Sequence, residues 1–168
     1  MQGVRTYRVN MSEPTQSIGA LIGNSEKLVE IFGYWPTFHD AEIIDLHIWR
    51  GNVEPEAGRN VFPILTVKLH VWEITSEVNT EGFLVSRCHT LSTLSFHNLD
   101  EFRMEGFNHQ NAILRLSIVQ EERAQPPSPI FAVRFDAAFG MGASFFCSRV
   151  EVVDAVPCSA DGIPSGVG

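Results

Sequence analysis

The chain has 168 residues, 44% of them hydrophobic and 19% charged, and its 12 basic residues stand against 20 acidic ones for a formal net charge of −8. That length and balance suit one soluble globular domain with a sizeable core and exclude a disordered polyelectrolyte. The negative sign argues against non-specific binding to nucleic acid or an anionic membrane, and it is compatible with a basic partner or with simple solubility.

Residues 1–20 show no sustained period. The run Ser12-Glu13-Pro14-Thr15-Gln16-Ser17 is polar and turn-like, so these residues read as an extended N-terminal arm, with Met11 an alternative start of translation. Residues 21–156 read as one α+β domain. Its first element is a short helix: Asn24 or Ser25 stands at the N-cap, Glu26 sits in the first turn, and Leu28, Ile31 and Phe32 form one apolar face. Gly33 fits the position just past the helix, and Pro36 prevents continuation.

From Ala41 the period changes to two. Ile44, Leu46 and Ile48 are expected on one face, with Ile43, Asp45, His47 and Trp49 on the other. A loop containing Glu54, Pro55 and Glu56 leads to a second strand over 62–74. Its Leu65, Val67, Leu69 and Val71 oppose Thr66, Lys68, His70 and Trp72, the pattern of an antiparallel sheet with one wet face. Further strands are expected within 83–98 and 99–107, over 112–122 with Leu114, Leu116 and Ile118 on one face, over 130–138, and over 143–154. The result is a single antiparallel meander of six or seven strands, with one short N-terminal helix packed at its start. Residues 157–168 are small, polar, Gly or Pro, and read as a disordered tail.

The densest polar-aromatic cluster is Gly33-Tyr34-Trp35-Pro36-Thr37-Phe38-His39-Asp40-Ala41-Glu42, where the helical pattern meets the first strand. Pro36 fixes its own φ and pushes Trp35 out of the α region, so the segment is a loop of set shape. Trp35 and Phe38 are expected to be buried, wedging the helix against the sheet. His39, Asp40 and Glu42 have the residue types of a metal site or an acid-base site. Adjacent residues on extended chain point apart, however, and no second ligand cluster appears, so hydrogen bonds within the corner are the better reading and no metal or cofactor is expected. A second polar cluster is Asn108-His109-Gln110-Asn111. Asn108 suits an Asx turn, and a buried amide at Asn111 could tie two loops together. The histidines at 47, 70, 89 and 97 lie on different strands without HxH or HxxxH spacing. Cys88, Cys147 and Cys158 show no CxxC spacing or catalytic partner, and with no signal peptide visible they suit a reducing cytoplasm. Nothing approaches membrane-spanning length, and no phosphate loop, GxSxG, HExxH or basic-aromatic stripe occurs.

The run from Gly33 to Ile43, preceded by Lys27-Leu28 and Ile31-Phe32, resembles the opening signature of the immunity protein 50 family of bacterial polymorphic-toxin systems. Gly106-Phe107-Asn108 and Gln110-Asn111-Ala112-Ile113 are similar to that family's middle segment, and the strand with Phe146 and Cys147 to its close. The likeness spans residues 21–156. It implies a small cytoplasmic α+β protein that binds and neutralises a toxin encoded nearby. It implies no catalytic residue, and it leaves Trp35, Pro36, Phe38, His39, Asp40, Glu42, Asn108, Gln110 and Asn111 as scaffold or contact.

Two other functions stand beside this one. One is a small metal-assisted hydrolase or ligand-binding domain centred on His39, Asp40 and Glu42. The other is an oligomerising module that pairs through exposed sheet edges. For a toxin-binding protein, the expected partner surface is the wet strand face: Asp45, His47 and Trp49, their neighbours His70, Trp72 and Glu73, and the loop with Glu54 and Glu56.

Overall fold

A single seven-residue helix is too small to cover the apolar face of a sheet, so the alternating strands must find another layer. The computed structural model describes residues 18–51, 62–121 and 130–165. A 3-10 turn, Ile18–Leu21, and helix α1, Glu26–Phe32, precede eight strands: β1 (Glu42–Trp49), β2 (Ile64–Val78), β3 (Leu84–His97), β4 (Asp100–Glu105), β5 (Ile113–Glu121), β6 (Ile130–Ala137), β7 (Gly142–Cys147) and β8 (Arg149–Pro157). They form two antiparallel four-stranded sheets, ordered β1-β2-β3-β8 and β4-β7-β6-β5. The expected single meander is thereby corrected to a mostly β sandwich in which the second sheet supplies the missing cover.

The alternation of β2 is kept: Leu65, Val67, Leu69 and Val71 are all fully buried. Leu65 pairs with Phe96 and Val67 with Leu94, and these pair onward with Val150 and Val152 of β8. Phe131, Val133, Phe135, Phe145 and Cys147 belong to the same buried cluster from the other sheet. Phe96 meets Phe135 and Phe145 edge-on, with ring centroids 6.0 and 5.1 Å apart, a favoured aromatic geometry that joins the layers.

The chain changes sheets twice, at neighbouring points. After β3 it turns at Asn98, whose φ is 59°, and enters the second sheet as β4. After β7 it returns at Ser148 and becomes β8, so the expected strand over 143–154 is two strands in different sheets. The Asn98 amide donates to the Ser148 hydroxyl, and the Ser148 N–H to the His97 carbonyl, which holds the two crossings together.

The helix also sits elsewhere than expected. Gly23 lies parallel to Glu151, donating to the Val150 carbonyl and accepting from the Val152 N–H. That pairing brings α1 against β8 and β3, on the opposite edge of the sheet from β1. Ser25 occupies the N-cap without a side-chain bond, while the Asn24 amide reaches the Val152 carbonyl. Gly33 ends the helix at φ 82°, donating to Val29, a left-handed conformation that glycine adopts at no steric cost. Residues 33–41 then cross to the β1 edge. At the C-terminus the described residues are held rather than loose: Cys158 donates to the His89 carbonyl, and Ser159 and Gly162 close a turn.

Candidate functional site

The signature and the 108–111 cluster meet where the two sheets join. Glu42 forms an antiparallel bridge with Ala112, the Asp40 N–H donates to Ile113, the Ile113 N–H to Ala41, and the Ile43 N–H to Asn111. The first residues of β1 and β5 are thus paired across the sheets. Each strand then carries one irregularity, after Ile43 and after Ile113, and the two diverge. A bulge shifts the parity of all that follows. Ile43, Leu46 and Ile48 therefore lie opposite the core positions of β2, while Ile44 is exposed, which corrects the faces expected for β1. Leu114 is exposed for the same reason.

Side chains lock this joint. The Glu42 Oε1 accepts the Asn111 N–H at 2.6 Å. Asn111 is buried; its Oδ1 accepts the Asn108 N–H at 2.9 Å and its amide donates to the Asn108 carbonyl at 2.8 Å. The Asn108 Oδ1 accepts from the Gln110 N–H, an Asx turn. Gly140, at φ 70°, lies so close under this loop that a Cβ would collide with the Gln110 carbonyl and the Asn111 Oδ1.

The rest of the signature lies outside this lock. Phe38 is 2% exposed, whereas Trp35 is only half-buried, short of the burial expected for it. The rings lie 5.3 Å apart, and Gly19 fits closely against the Trp35 Cβ. Phe38 and Asp40 both hold positive φ, 57° and 63°, a strained region for a bulky aromatic. His39 Nδ1 and Asp40 Oδ2 pair at 3.0 Å on the surface. His39 and Asp40 face each other, while Glu42 is bound to the Asn111 backbone. Among the described residues no three His, Cys, Asp or Glu side chains converge so as to hold an ion.

The outer face of the first sheet is built from rows of paired residues. Asp45, Lys68, Thr93 and Asp154 form one row; His47, Thr66, Ser95 and Glu151 the next; Trp49, Ile64, His97 and Arg149 the third. Asp45, His47 and Trp49 are exposed, as expected. The face also holds a cluster that strand-by-strand reading missed. His97 Nε2 lies 2.7 Å from the Glu151 carboxylate, and the Arg149 guanidinium reaches both. Only the register of β3 against β8 brings these three together, and no local spacing announces it.

The other residues expected on that face separate. His70 is buried, and its Nε2 is 3.0 Å from His89 Nδ1. Burial and the neighbouring His89 hold the His70 pKa below its usual value against an opposing pull from Glu42, and burial lowers that of His89. Trp72 is half-buried and stacks on His89. Glu73 follows Trp72 in the strand and points to the opposite face. There its Oε1 accepts the Tyr34 hydroxyl proton at 2.5 Å and its Oε2 the Arg87 Nε–H at 2.6 Å. Arg87 first, and then Tyr34, hold its carboxyl below the ordinary range. Glu54 and Glu56 lie outside the described residues.

Two broad depressions of about 440 and 530 Å³ lie on the outer face of the second sheet, lined among others by Arg103, Arg134 and Ser144. Asp136 is clamped there between Arg134 and Arg115. Glu101 and Glu105, also in the lining, offset the remaining positive charge.

This is a small antiparallel β-sandwich whose two sheets are tied at a corner by the residues of its own sequence signature. The chain belongs to the immunity protein 50 family, whose model matches residues 24–157. No curated protein and no solved structure matches it.

Proposed function

We propose that the protein is a non-enzymatic binding protein that neutralises a cognate bacterial toxin by direct protein-protein contact. Membership of the immunity protein family over most of the chain is the observation that carries this reading. The joint supports it. Glu42, Asn108 and Asn111 are engaged with backbone groups, which suits scaffold rather than chemistry.

We place the contact on the outer face of the first sheet at Asp45, His47 and Trp49, continuing into the loop with Glu54 and Glu56. Trp49 is 39% exposed on the face that also carries His47 and Asp45, the make-up of an interface anchor. The net charge of −8 would mainly speed encounter with a basic toxin. Free Cys88, Cys147 and Cys158 suit a cytoplasmic encounter. No cofactor, nucleic acid or membrane enters this reading.

The test is co-expression with the toxin encoded beside its gene. Trp49→Ala is expected to weaken protection while leaving the chain folded, at a stability cost of about 1–2 kcal/mol for the part of the ring that is covered. Full protection by Trp49→Ala would move the contact off this face. A wild-type chain that binds no such toxin would end the reading.

A further inference from the structure

The longest strand of the molecule outruns its neighbours. β1 pairs with β2 only as far as Glu42 opposite His70, and β8 pairs with β3 only as far as Pro157 opposite Thr90. Beyond those points β2 and β3 continue as a two-stranded ribbon to Val78 and Leu84, turned by residues 79–82. Such a ribbon is marginal by itself in water. Its base is braced on both faces, by Tyr34 and Arg87 on Glu73 and by His89 stacked on Trp72. Past the base its apolar side chains are open to solvent: Ile74 is 48%, Val78 61%, Phe83 67% and Leu84 58% exposed.

On the β1 side, residues 71–75 present a strand edge that no strand among the described residues pairs with. β2 runs evenly through Ile74; its two extra residues fall between Ile74 and Val78, toward the tip. Beside this edge the signature loop touches β2 through the Tyr34–Glu73 hydrogen bond and otherwise stands off it. Tyr34, Pro36, Thr37 and His39 face Trp72, Glu73 and Ile74 across an open groove of about 220 Å³. An unpaired edge with alternate backbone N–H and C=O groups is a template for another strand.

We propose that the edge at residues 71–75 receives an extended basic segment of the toxin as an added strand, running into the groove beside the signature loop. The proposal rests on the toxin-binding reading and adds to the contact at Asp45, His47 and Trp49 a second one at the other end of β2. Charge selects the occupant. Glu77 and Glu81 stand on the ribbon with Glu73 at its base, and Arg87 is already engaged by Glu73. A second copy of this chain pairing antiparallel through the same edge would, in the registers centred on residues 73 and 75, set Glu73 against Glu73 or Glu73 against Glu77, and like charges directly opposite each other are destabilising. A segment alternating Lys or Arg with apolar residues meets Glu77 with one set and covers Ile74 and Val78 with the other.

The experiment is amide hydrogen exchange on the full chain, alone and with the purified toxin domain encoded beside its gene, together with affinity measurements on two variants. Residues 72–75 are expected to gain protection in the complex. Ile74→Lys is expected to weaken binding at least about tenfold, because it puts a cation on the edge, and Ile74→Val to bind as wild type. Both must keep the wild-type denaturation midpoint. Protection confined to residues 45–49, with Ile74→Lys binding normally, overturns this proposal while the toxin-binding reading stands. A free chain that is dimeric with residues 72–75 already protected overturns it in favour of a second copy. Absence of any complex with the wild type overturns both readings.

Discussion

Phe38 and Trp35 lie three residues apart in one motif, yet the structure gives them different tasks. Phe38 is sealed in the core at positive φ, and Trp35 covers it from a half-exposed position against Gly19. Phe38→Ala is therefore expected to cost about 3–5 kcal/mol, the range for a buried aromatic. Trp35→Ala should cost about 1–3 kcal/mol, since it loses a contact without opening an enclosed cavity. Urea denaturation of both variants decides the matter, and equal losses would mean that Trp35 is as enclosed as Phe38. At this scale the importance of the motif was legible, because proline, three large aromatics, a histidine and two carboxylates in ten residues are conspicuous. The division of labour within it was not. His39 and Glu42 are chemically alike as candidates, and only the pairing of β1 with residues 111–113 sends one to the surface and the other to the Asn111 backbone. Asn111 itself could be suspected from its place at the head of a strand, since a buried amide needs partners.

Strands with unbroken alternation, such as β2, could be read directly. Those with bulges could not, because one extra residue exchanges the faces: Ile44 and Leu114 look like core and lie outside. The break between β7 and β8 did leave a trace, for the buried positions are odd-numbered through Phe145 and Cys147 and even-numbered at Val150 and Val152, with Ser148 and Arg149 at the change of phase. The same cross-strand logic makes β2 and β3 acid-sensitive as a pair. His70 and His89 touch, and both have folded pKa values below 6.5. The unfolded chain then binds more protons than the folded one once the pH drops below about 6.5, so their stability contribution is complete above that value and drains away as the pH falls through the lowered folded values. Glu42 opposes the shift at His70, and Ser86 accepts or donates on the far side of the His89 ring. The denaturation midpoint is expected to fall between about pH 7.5 and pH 5.5, ahead of losses from Glu73 and Asp136, whose depressed carboxyl pKa values confine their effect to more acid solution. His70→Gln should flatten the first decline and leave the second. An undiminished slope in that variant would place the acid sensitivity elsewhere.

At the scale of the whole molecule, the question is whether two sheets make one folding unit. Neither sheet can stand alone, since each buries its apolar face largely against the other, with α1 and the signature loop completing the cover, and the Phe96 contacts with Phe135 and Phe145 run through the middle. The covalent path reinforces this, for the chain enters the second sheet at Asn98 and leaves it at Ser148, and these points are hydrogen-bonded to each other. The β1-β5 joint closes another side. One cooperative transition follows, and the chain carries its own probes for it. All three tryptophans, Trp35, Trp49 and Trp72, lie in or beside the first sheet, and Cys147 lies in the second. Burial pushes the Cys147 thiol up to about 12, so in the native protein it is a protonated, poor nucleophile. In a urea titration, tryptophan fluorescence and labelling of Cys147 are expected to change at the same midpoint, as two-state unfolding requires. Gly140→Ala should displace both midpoints downward together, because it forces the 108–111 loop off the joint that the two sheets share. Labelling of Cys147 at urea concentrations where the fluorescence is still native would show the second sheet opening by itself, and the corner lock would then be a local fastening rather than the closure of a single cooperative structure.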